Sequence, residues 1–138
     1  MKIVKLTESV AVSGQITAEN VAEIAAAGYK VLINNRPDGE EGGQPASTAI
    51  AAAAEAAGLE YHYMPITATS FPGPDFDLMS DLLDDTDRPV LAFCRTGTRC
   101  TNLWVASRDA ASHEQARLHA LQLGYDLGMA NGASASAT

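Results

Sequence analysis

The segment Val90-Leu91-Ala92-Phe93-Cys94-Arg95-Thr96-Gly97-Thr98-Arg99-Cys100 holds the residues best suited to chemistry. An apolar run that reads as a strand ends at Cys94. Four residues intervene before Arg99, which opens a pattern that reads as a helix. A short loop between strand and helix aims several backbone N–H groups at one point, and the helix N-terminus adds positive partial charge there. A cysteine at the base of such a cradle is expected to have a lowered pKa and to be a thiolate near neutral pH. Arg99 offers a planar fork of donors for an anionic oxygen or sulfur. Cys94 and Arg99 are therefore the candidate catalytic residues, and Arg95, Thr96, Gly97 and Thr98 the candidate anion-binding loop. A cysteine taken alone at a strand end reads more simply as a small buried hydrophobe. The surroundings argue otherwise: three of the nine basic residues (Arg95, Arg99, Arg108) fall within 15 positions of Cys94, and no acidic residue lies between Cys94 and Arg108 in a chain of net charge −8.

Alternating helix and strand patterns must hold this loop. Thr17 suits a helix cap, with Val21, Ile24 and Ala25 on one face, and Gly28 suits the helix end. Tyr29–Asn34 reads as a buried strand. Pro45 then starts an alanine-rich helix through Ala57, Gly58 stops it, and Leu59–Met64 is the next strand. A third pass runs from a helix at Pro74–Leu83, striped by Phe76, Met79, Leu82 and Leu83, into a strand at Pro89–Phe93. Further helices are expected over Arg99–Ala111 and from about His113 to Leu123, where Gly124 stops the last one. Ile3–Leu6 and Val10–Ser13 read as short edge strands. The fold class is α/β, a parallel-rich sheet flanked by helices. We expect one domain over residues 1–129 and a frayed small-residue tail over 130–138.

The turn Asn35-Arg36-Pro37-Asp38-Gly39-Glu40-Glu41 follows a strand, so it lies at the sheet edge that carries the cysteine loop. It reads either as a solvated Pro-Asp-Gly turn or as a second wall of the site, with Arg36 steering an anion and Asn35 or Asp38 orienting the loop. His62, His113 and His119 make no metal-ligand spacing, so no metal and no cofactor are expected. The acidic balance argues against nucleic acid and anionic membrane as partners. No apolar run approaches the roughly 20 residues of a membrane helix, and the N-terminus does not read as a secretory signal. A cytoplasmic protein is expected.

Cys-Arg-Thr-Gly-Thr-Arg resembles the six-residue active-site loop of rhodaneses. Cysteine-dependent phosphatases have a related loop with five residues between cysteine and arginine, where this chain has four. Ser13-Gly14-Gln15, the following helix and Val31–Glu40 resemble the beta-lactamase-hydrolase-like, phosphatase-like family (domain of unknown function 442). The resemblance spans about residues 1–129, with motifs at 34–45 and 94–99. It implies a dual-specificity-phosphatase-like fold. It also implies sulfur-transfer activity, and a persulfide dioxygenase as a partner, because members occur alone or fused to such enzymes. Three departures from phosphatases stand out. Phe93 replaces the usual histidine, Cys100 replaces serine or threonine after the arginine, and the stretch Pro65–Pro74 holds no acid, Asp75 and Asp77 being the nearest.

The expected activity is therefore a rhodanese-like sulfurtransferase. Cys94 would take a sulfur from a small anionic donor, thiosulfate or a persulfide, and pass it to a thiol acceptor. The alternatives are a cysteine-dependent phosphatase of phosphate esters, and a non-catalytic sulfur carrier or redox-sensing partner. The short loop, with one fewer N–H, is expected to suit a single sulfur atom better than a phosphoryl group.

Overall fold

The structure, a computed structural model, describes residues 1–130. Among them, five strands form one sheet in the order β1-β2-β5-β3-β4. These are β1 (Val4–Lys5), β2 (Val10–Ser13), β3 (Val31–Asn34), β4 (Glu60–Tyr63) and β5 (Val90–Phe93). Only the β1–β2 pair is antiparallel. The helices are α1 (Ala18–Ala26), α2 (Ser47–Ala57), α3 (Phe76–Asp84), α4 (Thr98–Ala106) and α5 (His113–Gln122).

Every residue of β2, β3 and β5 is buried, as expected for parallel strands covered on both faces. Alternation sorts their side chains into two cores. Val12, Ile33, Ala92 and Cys94 join Met79, Leu103, Trp104 and Ala120 on the face carrying α3, α4 and α5. Ala11, Leu32, Leu91 and Phe93 join Val21, Ile24 and Ile50 on the face carrying α1 and α2. Cys94 continues the β5 alternation, so its thiol lies on the α4 side.

Local signals set the helix ends. Thr17 and Asn20 exchange side-chain-to-backbone bonds in a capping box (2.9 and 3.3 Å). Gly58 adopts the left-handed conformation at the end of α2. Three sequence expectations shift. Val10–Ser13 is not an edge strand: β1 and β5 pair with its two sides, and only β1 is at that edge. The helix after the cysteine loop ends at Ala106 rather than Ala111, because Ser107 Oγ and Arg108 Nε both donate to the Trp104 carbonyl. Pro45 lies two residues before α2, whose first N–H, on Ser47, donates to Asp38 Oδ1 at 2.8 Å.

The expected tail falls outside the described residues except at Ala130, which is buried and tied down. Asn102, fully buried on α4, donates to the carbonyls of Thr98 and Asp126 at 2.8 Å each and accepts from Ala130 N at 2.9 Å. Removing that amide strands three partners, each costing about 1 kcal/mol or more. Asn102→Ala should therefore lower stability by about 2–3 kcal/mol. Urea unfolding checks this; an unchanged midpoint would mean that the C-terminal segment is not held through Asn102.

Candidate active site

Beyond β5 the chain turns at once into α4, and the ends of β2 and β3 flank that turn. On one side Cys94 N donates to Ser13 O (3.3 Å) and Gln15 N donates to Arg95 O (3.3 Å). A Cβ on Gly14 would meet Arg95 O at 3.0 Å, so the approach of the Ser13-Gly14-Gln15 segment to the loop favours glycine. On the other side Asn35 N donates to Phe93 O at 2.9 Å. Gly97 has φ +88°, a left-handed conformation that side chains resist. It aims its N–H at Cys94 Sγ, 3.1 Å away. Thr101 Oγ1 donates to Gly97 O at 2.8 Å and fixes the turn from below.

Cys94 is fully buried, which alone would oppose ionisation. Donors outweigh burial, the Cys100 S–H first, then the N–H groups of Cys100, Thr96 and Arg99, and the thiol pKa falls to about 5. The Cys100 thiol moves well upward through its burial and its thiolate neighbour. The pair thus shares one negative charge, on Cys94, with Cys100 as donor.

Arg99 is held from one edge. Its Nη1 donates to Glu40 Oε2 (2.7 Å) and Ile66 O (3.0 Å), and its Nη2 donates to Glu40 Oε1 (2.8 Å). Glu40 falls to about 2, chiefly through Arg99, with burial opposing and Arg36 assisting. Arg36, itself buried, donates through Nε to Glu40 Oε1 (2.9 Å), through Nη2 to Glu41 Oε1 (2.9 Å) and through Nη1 to Gln15 Oε1 (3.0 Å). Among the described residues the Nε–H of Arg99 and one Nη2 hydrogen have no partner. Those two donors form the side edge of the guanidinium.

The residues read from the sequence as a second wall do adjoin the loop, but with different duties. Arg36 does not steer an anion; it braces Glu40. Asp38 caps α2, and its own N–H donates to Tyr63 Oη at 2.9 Å. Asn35 donates to Met64 O at 2.9 Å. Arg95 is largely exposed, its Nε 3.7 Å from Glu41 Oε1. Thr96 Oγ1 donates to Thr98 Oγ1 at 3.0 Å. Sequence reasoning passed over Glu40, Glu41, Gln15 and Ile66. A signal was present for the first two: a cluster of arginines without local carboxylates needs acids from elsewhere, and Glu40-Glu41 follow Arg36 in the neighbouring turn. The segment 65–74 reaches the site through the Ile66 carbonyl and carries no acid; Asp75 is exposed at the start of α3. Among the described residues no three His, Cys, Asp or Glu side chains cluster to hold a metal, and no helix is long and apolar enough to cross a membrane.

Two outcomes follow from these contacts. Cys100→Ala removes the leading donor, so the titration of the thiolate absorbance should move upward from about 5, whereas Cys100→Ser should largely keep it. An unmoved titration in the alanine variant would take Cys100 out of the account. Glu40 has a depressed folded-state pKa, so its contribution to stability is present at neutral pH. That contribution is lost as pH falls from the ordinary glutamate range through about 2. The stability gap between the native chain and Glu40→Gln should therefore narrow over that window, as measured by urea unfolding at several pH values.

The model of the "Beta-lactamase hydrolase-like protein, phosphatase-like domain" family matches residues 2–111. The chain is 38% identical over 135 residues to the beta-lactamase hydrolase-like protein of Xylella fastidiosa (strain Temecula1), covering 94% of this chain but only 31% of that protein. A protein of Neisseria meningitidis Z2491, proposed to be a phosphatase, superposes with TM-score 0.74 at 36% identity, over 93% of this chain and 92% of its own. Kinase-associated phosphatase, an enzyme with a catalytic-site cysteine, shares the fold alone: TM-score 0.63 at 15% identity, over 93% of this chain and 84% of its own. The expected α/β class and dual-specificity-phosphatase-like architecture stand. The expectation of a rhodanese-like sulfurtransferase is corrected, because the family and these structural neighbours are phosphatase-like. The short loop and the acid-free segment misled because neither feature is specific to sulfur. The chain belongs to the phosphatase-like domain family of beta-lactamase hydrolase-like proteins.

Proposed function

We propose that the chain hydrolyses phosphate monoesters through Cys94. The observation that carries this reading is the pairing of a thiolate with an arginine whose side edge is open while its other edge is fixed by Glu40. Cys94 Sγ attacks phosphorus, and the ester oxygen departs with its bonding electrons. Water then attacks the cysteinyl phosphate, and the thiolate leaves with its electron pair, releasing phosphate. Two equatorial oxygens lie against the Nε–H and Nη2–H of Arg99, and the loop N–H groups take the remaining charge. The S–H of Cys100 supports the thiolate as it departs in the second step. Because Cys94 is fully buried, attack requires the loop to spread around the entering phosphoryl group.

The acid-free segment 65–74 acts on substrate range. General-acid assistance contributes about 10²–10⁴-fold where it operates. Without it the leaving oxygen must carry its own charge, which favours esters of acidic alcohols and phenols.

Steady-state assays over a series of aryl phosphates test the reading. The rate should rise steeply with the acidity of the leaving phenol. Cys94→Ser should abolish turnover, and Arg99→Lys, which loses the planar side edge, should lower kcat by about 10²-fold or more. Undiminished turnover in Cys94→Ser would remove Cys94 from the chemistry and the reading with it.

A further inference from the structure

A groove of about 370 Å³ opens beside the cysteine loop, on the β1–β2 side of β5, whereas Glu40 and Glu41 follow β3 on its other side. Its walls include Lys2, Gln15, Thr96, Leu123 and Tyr125. Antiparallel pairing of Val4 with Val12 brings the start of β1 back to the carboxyl end of β2, which places Lys2 at the loop's edge of the sheet. That is the edge at which open α/β sheets bind ligands. Thr96 belongs to both loop and groove. The Tyr125 hydroxyl comes within 3.5 Å of where a Cβ on Gly97 would stand, so the groove shares a wall with the turn beneath Cys94. The far wall is fixed: Tyr125 N donates to Ala120 O at 3.2 Å, and Asn102 holds the next carbonyl.

The two flanks of the loop differ in charge. Glu40 and Glu41 stand on one, and Glu40 stays ionised at any pH near neutrality. Among the described residues, the groove is lined by a lysine, hydroxyls, an amide and apolar side chains, with no carboxylate. A negatively charged leaving group is repelled from the first flank and attracted to the second. The volume lies near the low end of the roughly 300–1,000 Å³ of small-molecule sites, which suits a single ring rather than a protein surface. We propose that this groove holds the alcohol part of the substrate, a ring-sized group bearing a negative charge, with Lys2 as its counter-ion and Tyr125 and Leu123 against its ring. This inference rests on the phosphatase reading of Cys94 and names the leaving group that reading leaves open.

The test compares kcat/KM for 4-carboxyphenyl, 4-methylphenyl and 4-(aminomethyl)phenyl phosphate in the native chain, Lys2→Gln and Lys2→Glu. Electronic differences among the esters cancel when each ratio is compared between proteins. Lys2 is exposed, so neither substitution disturbs the core. The carboxylate-to-methyl ratio should fall about threefold in Lys2→Gln and further in Lys2→Glu, the size expected of one exposed ion pair. The aminomethyl ester should gain in Lys2→Glu. Added salt should erase these differences. Turnover with the same ratios in all three proteins overturns the groove assignment and leaves the phosphatase reading standing. No turnover of any ester overturns the phosphatase reading and the leaving-group assignment with it.

Discussion

A negative charge on a fully buried sulfur at the end of the central strand is costly, and the neighbouring structure is arranged to compensate for it. Cys94 receives the Gly97 N–H, the Cys100 S–H and the N-terminal end of α4. Arg99 stands beside it and would itself be a partly buried cation without Glu40. Glu40 in turn is shared with Arg36, and Arg36 is completed by Glu41 and Gln15. The signs alternate outward from the sulfur, each charge supported by the next, until the row ends at the solvent-exposed Glu41. Truncating one inner member would leave its neighbour buried and unpaired, the expensive way to break such a network.

The sheet order makes this row possible. With β5 between β2 and β3, the loop after β5 emerges flanked by the ends of two parallel strands. One brings Gly14 and Gln15, and the other brings Asn35 and Arg36. Gln15 reaches past the loop to Arg36 Nη1, closing the ring of contacts around the cysteine turn. The segment that follows β4 contributes the Ile66 carbonyl, the third grip on Arg99. Three segments far apart in sequence thus fix one guanidinium so that its side edge stays open.

The same local chemistry serves more than one reaction, which is why motif reasoning went astray on activity. A low-pKa cysteine, a cradle of N–H groups and an arginine fork stabilise a persulfide and a cysteinyl phosphate alike. Loop length and a missing acid weigh on efficiency and substrate range rather than on the identity of the element transferred. The family and the fold bear on that question more directly.

The sequence by itself determined what depends on near neighbours. The Thr17 cap, the Gly58 stop, the buried β3 and β5 runs and the strand–loop–helix unit at 90–106 follow from residues a few positions apart, so their periodicity and turn chemistry were legible. The thiolate expected of Cys94 belongs here too, since Gly97, Arg99 and Cys100 all lie within six residues of it. Tertiary structure decided what depends on distant segments meeting. The pairing of Val10–Ser13 with β5, which makes β2 an interior strand, joins residues 80 positions apart. The grip of Glu40 on Arg99 spans 59 positions, and no local pattern announces which carboxylate will meet which arginine. Arg36 looked like an anion-steering residue because a lone arginine in a turn is free in sequence. Glu40 and Glu41 lie four and five positions on, but only the folded chain turns them back onto its donors and adds Gln15, 21 positions away.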